Sequence, residues 1–485
     1  MKKFIVFAII IFFIPFHAIH HNRFSIDIDC NSINGRIKFF GDINDGPLPV
    51  KNGVNLTKQY KEIGIKFIRT HDFYGPTDIS SIFPDWNASV NDEKSYNFSS
   101  SDVVIKSIVE NGFNVFYRLG ESASDNKSKA LPPKNFTKWA EICKHIVMHY
   151  NDGWCHGYHF NIKYWEIWNE PDLKGFWNGT AEDYYGLYEI TAKTLKEYDA
   201  SLKIGGPCVA SIKNENFTSE FPNYVVSHNI PIDFFSWHMY DSNPYNFYKA
   251  SLYVRKLLDS YGLYGCENIN TEWNIDILSP QRDKDSEKNA AFTASCLIAF
   301  QNCNLEYAFR YRGTQDNSWL ARLLGLDLSL FTYDGKYKMP ALAYLAFHYM
   351  ENTPYMIEAN IGNGTSYIAG VSKDKRNVSI LISNYGNDMP YELKIENLLD
   401  ARYKIAYYLI DSSHHLQIIR RDNASSTYES HATIKKNSVI FIYATTSRLP
   451  PEGPPTAKIP LLLRLRILDP FLALFRFMLL YFVFG

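Results

Sequence analysis

The sequence predicts an α/β chain, a (β/α)8 TIM barrel with a C-terminal antiparallel β-sandwich domain, and three observations carry that prediction. Between residues 36 and 350, short β-rich runs alternate eight times with longer stretches of helical period, the pattern of repeated βα units around a parallel sheet. No glycine-rich phosphate loop follows the first run, which argues against a doubly wound open sheet. After about Asn352 the texture changes to short alternating runs divided by Gly, Asn and Asp turns.

Taken in order, residues 1–20 read as a signal peptide or N-terminal anchor. Lys2 and Lys3 precede an apolar run over 4–16, and Ala18 supplies a small residue near a cleavage point. A secreted or extracellular protein is the expectation, and ten glycosylation sequons fit it: Asn55, Asn87, Asn97, Asn126, Asn135, Asn178, Asn216, Asn363, Asn377 and Asn423. Residues 21–35 are expected to add a strand to the β domain. The barrel occupies 36–350, with strands expected over 37–41, 66–70, 114–118, 164–168, 203–206, 234–237, 268–271 and 307–311. A helix is expected over 181–198, opened by Thr180 as N-cap. The sandwich takes 351–446, with strands such as 378–383, 403–409 and 438–443. A Pro-rich linker and an apolar tail fill 447–485; Arg464, Arg466, Asp469 and Arg476 interrupt the tail and count against a transmembrane helix. Membrane association through either apolar end is left open.

Composition excludes some partners. With 485 residues there is room for a barrel of about 250 residues and an accessory domain. A net charge of -1 offers no general attraction to nucleic acid. Seven cysteines include no CxxC pair or Cys/His cluster, so neither a structural zinc nor any other metal or cofactor is expected, and their spacing gives no disulfide pairing. Aromatic residues make up 16% of the chain, and flat rings suit the apolar faces of sugars as well as packing.

The chemistry concentrates in two segments. In YWEIWNEPD, residues 164–172, Tyr164, Glu166 and Trp168 alternate with Trp165 and Ile167 as a strand requires, and Pro171 then stops the ladder. Asn169 and Glu170 therefore stand where strand becomes loop, on the barrel edge that collects catalytic groups. Glu272, in NINTEWN, ends the seventh run in the same way. Two carboxylates at one mouth can divide glycosidic cleavage, one protonating the leaving oxygen and the other attacking the anomeric carbon. In such a pair the charge of Glu272 is expected to raise the pKa of Glu170 and keep it protonated.

The run over 164–207, with NTEWN at 270–274, resembles glycoside hydrolase family 39, which contains β-xylosidases and α-L-iduronidases. GDINDGPLP at 41–49 and IRTHDFYG at 68–75 extend the likeness, whereas residues 307–319 depart from a xylosidase pattern. The resemblance implies net retention, an acid/base at Glu170 and a nucleophile at Glu272, and it matches His71 to the family's rim histidine. Other expected substrate contacts are Asn169, through the sugar 2-hydroxyl, and His238, Tyr240 and Tyr74, with Phe176 and Trp177 as an aromatic wall. The expected partner is an oligosaccharide or glycoside, most plausibly a β-xyloside. An iduronidase-like enzyme would need a cation near the sugar carboxylate, for which Arg310 and Arg312 are the candidates. A non-catalytic carbohydrate-binding protein is the reading from another class.

Overall fold

The structure is a computed structural model; it describes residues 24–49, 53–70, 75–122, 127–313, 319–362, 364–459, 472–475 and 478. The leader segment, His71, Tyr74 and most of the apolar tail lie outside the described residues. No helix among the described residues is long and apolar enough to cross a membrane.

Two short strands come first, β1 (Phe24–Asp29) and β2 (Gly35–Arg36), followed by the eight of the barrel. These are β3 (Asp42–Asn44), β4 (Phe67–Arg69), β5 (Asn114–Leu119), β6 (Tyr164–Ile167), β7 (Lys203–Val209), β8 (Phe234–Asp241), β9 (Glu267–Ile275) and β10 (Tyr307–Arg310). They close as a parallel barrel in chain order, with β10 against β3. The first strand begins after the segment expected for it. Across 37–41 the backbone is claimed by other partners: Ile37 N donates to Pro354 O and Lys38 N to the Gln301 side chain. The ladder starts only where Gly41 O accepts from Lys66 N at 2.7 Å.

Alternation along the strands sorts the barrel interior into layers. Phe67, Phe116, Phe234, Ile269 and Phe309 form one apolar cluster, joined by Tyr164 and Tyr307. Their rings pack 4.8 to 6.2 Å apart, as in Phe116–Phe309 and Tyr307–Phe309, and fill the end at which the strands begin. Two residues on, the same inward parity delivers Arg69, Arg118 and Glu166, all without exposed surface. Arg69, Arg118 and Glu166 thereby come together on the side of the ring layer where the strands finish.

Burial pushes the Asp42 carboxyl up to about 8, against the hydrogen bond its Oδ2 accepts from Ala308 N at the closing seam (3.0 Å). An unfolded Asp releases its proton near pH 4. Between about pH 4 and pH 8 the native state holds more protons than the unfolded one, so this group makes stability fall as pH rises through that window. Asp42→Asn should remove that slope. Urea midpoints at pH 5 and pH 8 check it: the wild type should lose ground to the variant at the higher pH, and parallel profiles would refute the assignment.

Beyond the barrel come β11 (Tyr355–Ile361), β12 (Thr365–Val371), β13 (Asn377–Asn384), β14 (Met389–Glu396), β15 (Tyr403–Ile410), β16 (His415–Ala424), β17 (Tyr428–Ile434) and β18 (Ser438–Thr445). A seven-stranded sheet, β16-β15-β18-β13-β12-β11-β2, faces a three-stranded one, β1-β14-β17, in which β1 runs parallel to β14. Alternation sends Ile380, Ile382, Ile405 and Ile442 into the core between the sheets. Their neighbours Leu381, Ala406 and Phe441 join the barrel's core instead. The large sheet is thus covered on both faces, its outer one by helices Glu287–Ala299 and Met339–Tyr349. Ser383 Oγ donates to Ala291 O across this boundary at 2.7 Å. All seven cysteines are free thiols.

Candidate active site

Glu170 is aimed by backbone that leaves the strand abruptly. Trp168 and Glu170 have φ of 73° and 44°, values that non-glycine residues adopt only where surrounding contacts hold them. Those contacts are Trp168 N to Leu119 O (2.7 Å), Glu170 N to Cys208 O (2.9 Å) and the Trp168 indole N–H to Phe176 O (3.0 Å). Asp172 anchors the outgoing loop by accepting from Ala210 N and Ser211 N, and burial raises its carboxyl above the ordinary range.

A β-bulge brings Glu272 to the same mouth. Along β9 the partner of Trp237 is Asn270, but the partner of His238 is Glu272, so Thr271 is an extra residue in the ladder. The bulge lets Thr271 and Glu272 face inward in succession, while Trp273 turns out into the core around the barrel. On β8, simple alternation places Ser236, His238 and Tyr240 on the inner side.

The side chains then lock together around one guanidinium. Arg69, fully buried, donates from Nε to Glu166 Oε2 (2.7 Å), from Nη1 to Asn44 Oδ1 and Glu272 Oε1 (both 2.9 Å), and from Nη2 to Asn169 Oδ1 (2.8 Å). Nη2 also reaches Cys208 Sγ at 3.1 Å. The Tyr240 hydroxyl donates to Glu272 Oε2 at 2.6 Å, and burial, with the Glu272 charge, holds that phenol well above its ordinary range. His238 Nδ1 lies 2.8 Å from Glu170 Oε1 and 3.6 Å from Glu272 Oε2. Both carboxylates are nearly buried, Glu170 at 9% exposure and Glu272 at 4%.

One oxygen of each carboxylate and a ring nitrogen of His238 all lie within 4.8 Å of one another. Such a trio could ligate a metal ion, but both oxygens of Glu272 already accept hydrogen bonds, one from a guanidinium whose charge would oppose a cation. The spacing suits glycosidic chemistry better. Retaining enzymes hold their carboxyls about 5 to 5.5 Å apart, against roughly 6.5 to 9.5 Å where a water must fit between.

The structure therefore gathers Glu170, Glu272, Asn169, His238 and Tyr240. It does not open Trp177 to a ligand, at 1% exposure; Phe176, at 7%, is as exposed as the two carboxylates. Trp177 packs edge-on to Trp168 and Tyr184 and donates to Thr180 O, so its part of the expected aromatic wall is loop packing. Arg310 is likewise misplaced as a sugar contact. It faces outward from the barrel, against Asn289 (3.0 Å) and the Trp273 ring (4.6 Å). Arg312 stands at the rim, 3.4 Å from Asp45. Sequence reasoning missed Arg69, Asn44 and Cys208. The period-two spacing of Arg69 from Phe67 was a usable signal; Pro207 and the positive φ of Cys208 (56°) hid the third.

A family model described as Glycosyl hydrolases family 39 matches residues 50–316. A β-xylosidase of Caldicellulosiruptor saccharolyticus is 29% identical over 205 residues, 39% of each chain. A β-xylosidase of Geobacillus stearothermophilus is 28% identical over 234 residues, 43% of this chain and 44% of that one. The match thus spans about two-fifths of the length of these curated relatives. The crystal structure of a glucosidase from Croceicoccus marinus superposes with a TM-score of 0.76 at 22% identity, over 88% of this chain and 99% of that one.

Proposed function

Because the chain belongs to glycosyl hydrolases family 39, we propose that it is a retaining glycoside hydrolase acting on β-xylosides, with Glu272 as nucleophile and Glu170 as acid/base. The observation that carries the reading is the grouping of both carboxylates within 4.8 Å at the mouth of the barrel. Glu272, paired with Arg69 and oriented by Tyr240, attacks the anomeric carbon as the carboxylate. Glu170 gives its proton to the departing oxygen, and the C–O bond breaks as the glycosyl ester forms. Water then surrenders a proton to the Glu170 carboxylate and displaces Glu272, so both residues end as they began. No step calls on a metal or an organic cofactor.

The sugar is the less constrained part. The names of the two sequence relatives support a xyloside. An iduronidase-like activity loses one of its two candidate cations, since Arg310 points away from the cavity.

A mechanism-based label tests the chemistry directly. Incubation with 2,4-dinitrophenyl 2-deoxy-2-fluoro-β-xyloside should add one fluoroxylosyl group, and peptide mass spectrometry should locate it on Glu272. A protein that binds xylosides yet takes no adduct, or takes it elsewhere, would be a binding module or would use another nucleophile.

A further inference from the structure

A crevice of about 330 Å³ adjoins the acid/base, and the mechanism above makes no use of it. Its walls are the two loops that aim Glu170: Pro171, Asp172 and Lys174 come from the segment after β6, and Asn214, Asn216 and Phe217 from the segment after β7. Thr180 and Glu182, at the start of the helix Ala181–Tyr198, add to the lining. One edge reaches the reacting centre. Pro171 follows Glu170 directly, and burial raises the Asp172 carboxyl with His238 near enough to work against that rise. None of the lining comes from β8, β9 or β10 or the loops after them, which carry Tyr240 and Glu272. Glu272 enters from one face of the sugar and the leaving oxygen departs from the other, beside Glu170, so the group attached to that oxygen heads toward this crevice.

We propose that this crevice is the leaving-group site and that it takes a saccharide, one sugar ring bound through its hydroxyls, with Asn214 and Glu182 setting that preference. The inference rests on the reading of Glu170 as acid/base. What the walls offer decides the chemistry. The rings of Trp177 and Phe217 are packed against other rings, Trp168 and Tyr184 for the first, Tyr184 and Tyr185 for the second. The lining groups with exposed surface are polar: Lys174, Thr180, Glu182 and Asn216, with Asn214 half-buried. Lys174 donates to Gly179 O at 3.0 Å, which holds its ammonium at the crevice. Among the described residues, the Asn214 side-chain amide and the Glu182 carboxylate enter no hydrogen bond or ion pair. An amide both donates and accepts, a carboxylate accepts and an ammonium donates; sugar hydroxyls answer all three, and an aryl ring answers none. The volume lies at the lower end of the range for ligand pockets, roughly 300 to 1,000 Å³, which suits a single ring better than a chain of them.

Two measurements decide the matter. Asn214→Ala and Glu182→Gln alter side chains that hold nothing else in place, so both variants should fold as the wild type does. On xylobiose, whose leaving group is a sugar, each should lose about tenfold in kcat/KM, mainly through a raised KM. On 2,4-dinitrophenyl β-xyloside, whose leaving group is an aryl ring, each should lose under about twofold. Equal losses on the two substrates, or no loss on xylobiose, overturn the proposal. The second readout needs no turnover. Saturating xylobiose should slow amide hydrogen exchange over 171–182 and 211–217 in the wild type, and much less in Asn214→Ala. A wild type inert on both xylosides would sink the choice of sugar, and the exchange measurement, repeated with cellobiose, would still decide the crevice: protection of these segments by neither disaccharide overturns it.

Discussion

Glu272→Ala should lower kcat on an aryl β-xyloside by on the order of 10⁴ to 10⁶, the range seen when an enzyme loses its covalent nucleophile. The cause is confined to the reacting centre. Removing the carboxylate takes one of several partners from Arg69, but Glu166, Asn44 and Asn169 still engage the guanidinium, so the buried charge stays compensated and the thermal midpoint should move little. The vacated space lies between Arg69 and the Tyr240 hydroxyl and admits a small anion. Added azide should therefore attack the sugar from the side Glu272 occupied and return an α-xylosyl azide, whose anomeric configuration is read by NMR. Turnover near the wild-type rate in the purified variant would remove Glu272 from the mechanism.

Arg69→Met should be the most destabilising substitution in the site, at about 3 to 5 kcal/mol. Its partner Glu166 has no exposed surface, its Oε2 is held by Arg69, and its Oε1 has no hydrogen-bond partner. Without the guanidinium a carboxylate is left in the barrel with nothing to offset its desolvation, and Glu272 loses a donor at the same time. Arg69→Met combined with Glu166→Gln should recover much of the loss, because the second change removes the stranded charge. Activity should not return with it, since Glu272 still lacks its cation. Chemical denaturation of the single and double variants measures the coupling. If the double variant is as unstable as the sum of the singles, the two side chains do not act as a pair.

The barrel was legible because its strands follow simple rules: eight β-rich runs at regular spacing, with Glu170 marked by the proline that ends the fourth. Glu272 was found through its position at the end of the seventh run. Plain alternation from Ile269 would have turned Glu272 outward and Trp273 inward, and a bulge is not visible in a pattern of apolar residues. The first strand was displaced by a few residues because backbone partners far away in sequence, Pro354 and Gln301, take the groups that a ladder would have used. Trp177 misled for a different reason. An aromatic beside a catalytic loop has the same composition whether it lines a cavity or fills one, and only the surrounding rings of Trp168 and Tyr184 decide. The parallel pairing of β1 with β14 joins segments more than 360 residues apart, which no local pattern records.

The layer of rings that fills the barrel where its strands begin also governs the order of events above it. Among the described residues that layer closes the barrel beneath the carboxylates, so in the mechanism proposed substrate and product pass by the strand ends. The freed alcohol must depart before a water molecule can occupy its place beside Glu170, so the two halves of the cycle are separated by traffic past that end as well as by chemistry.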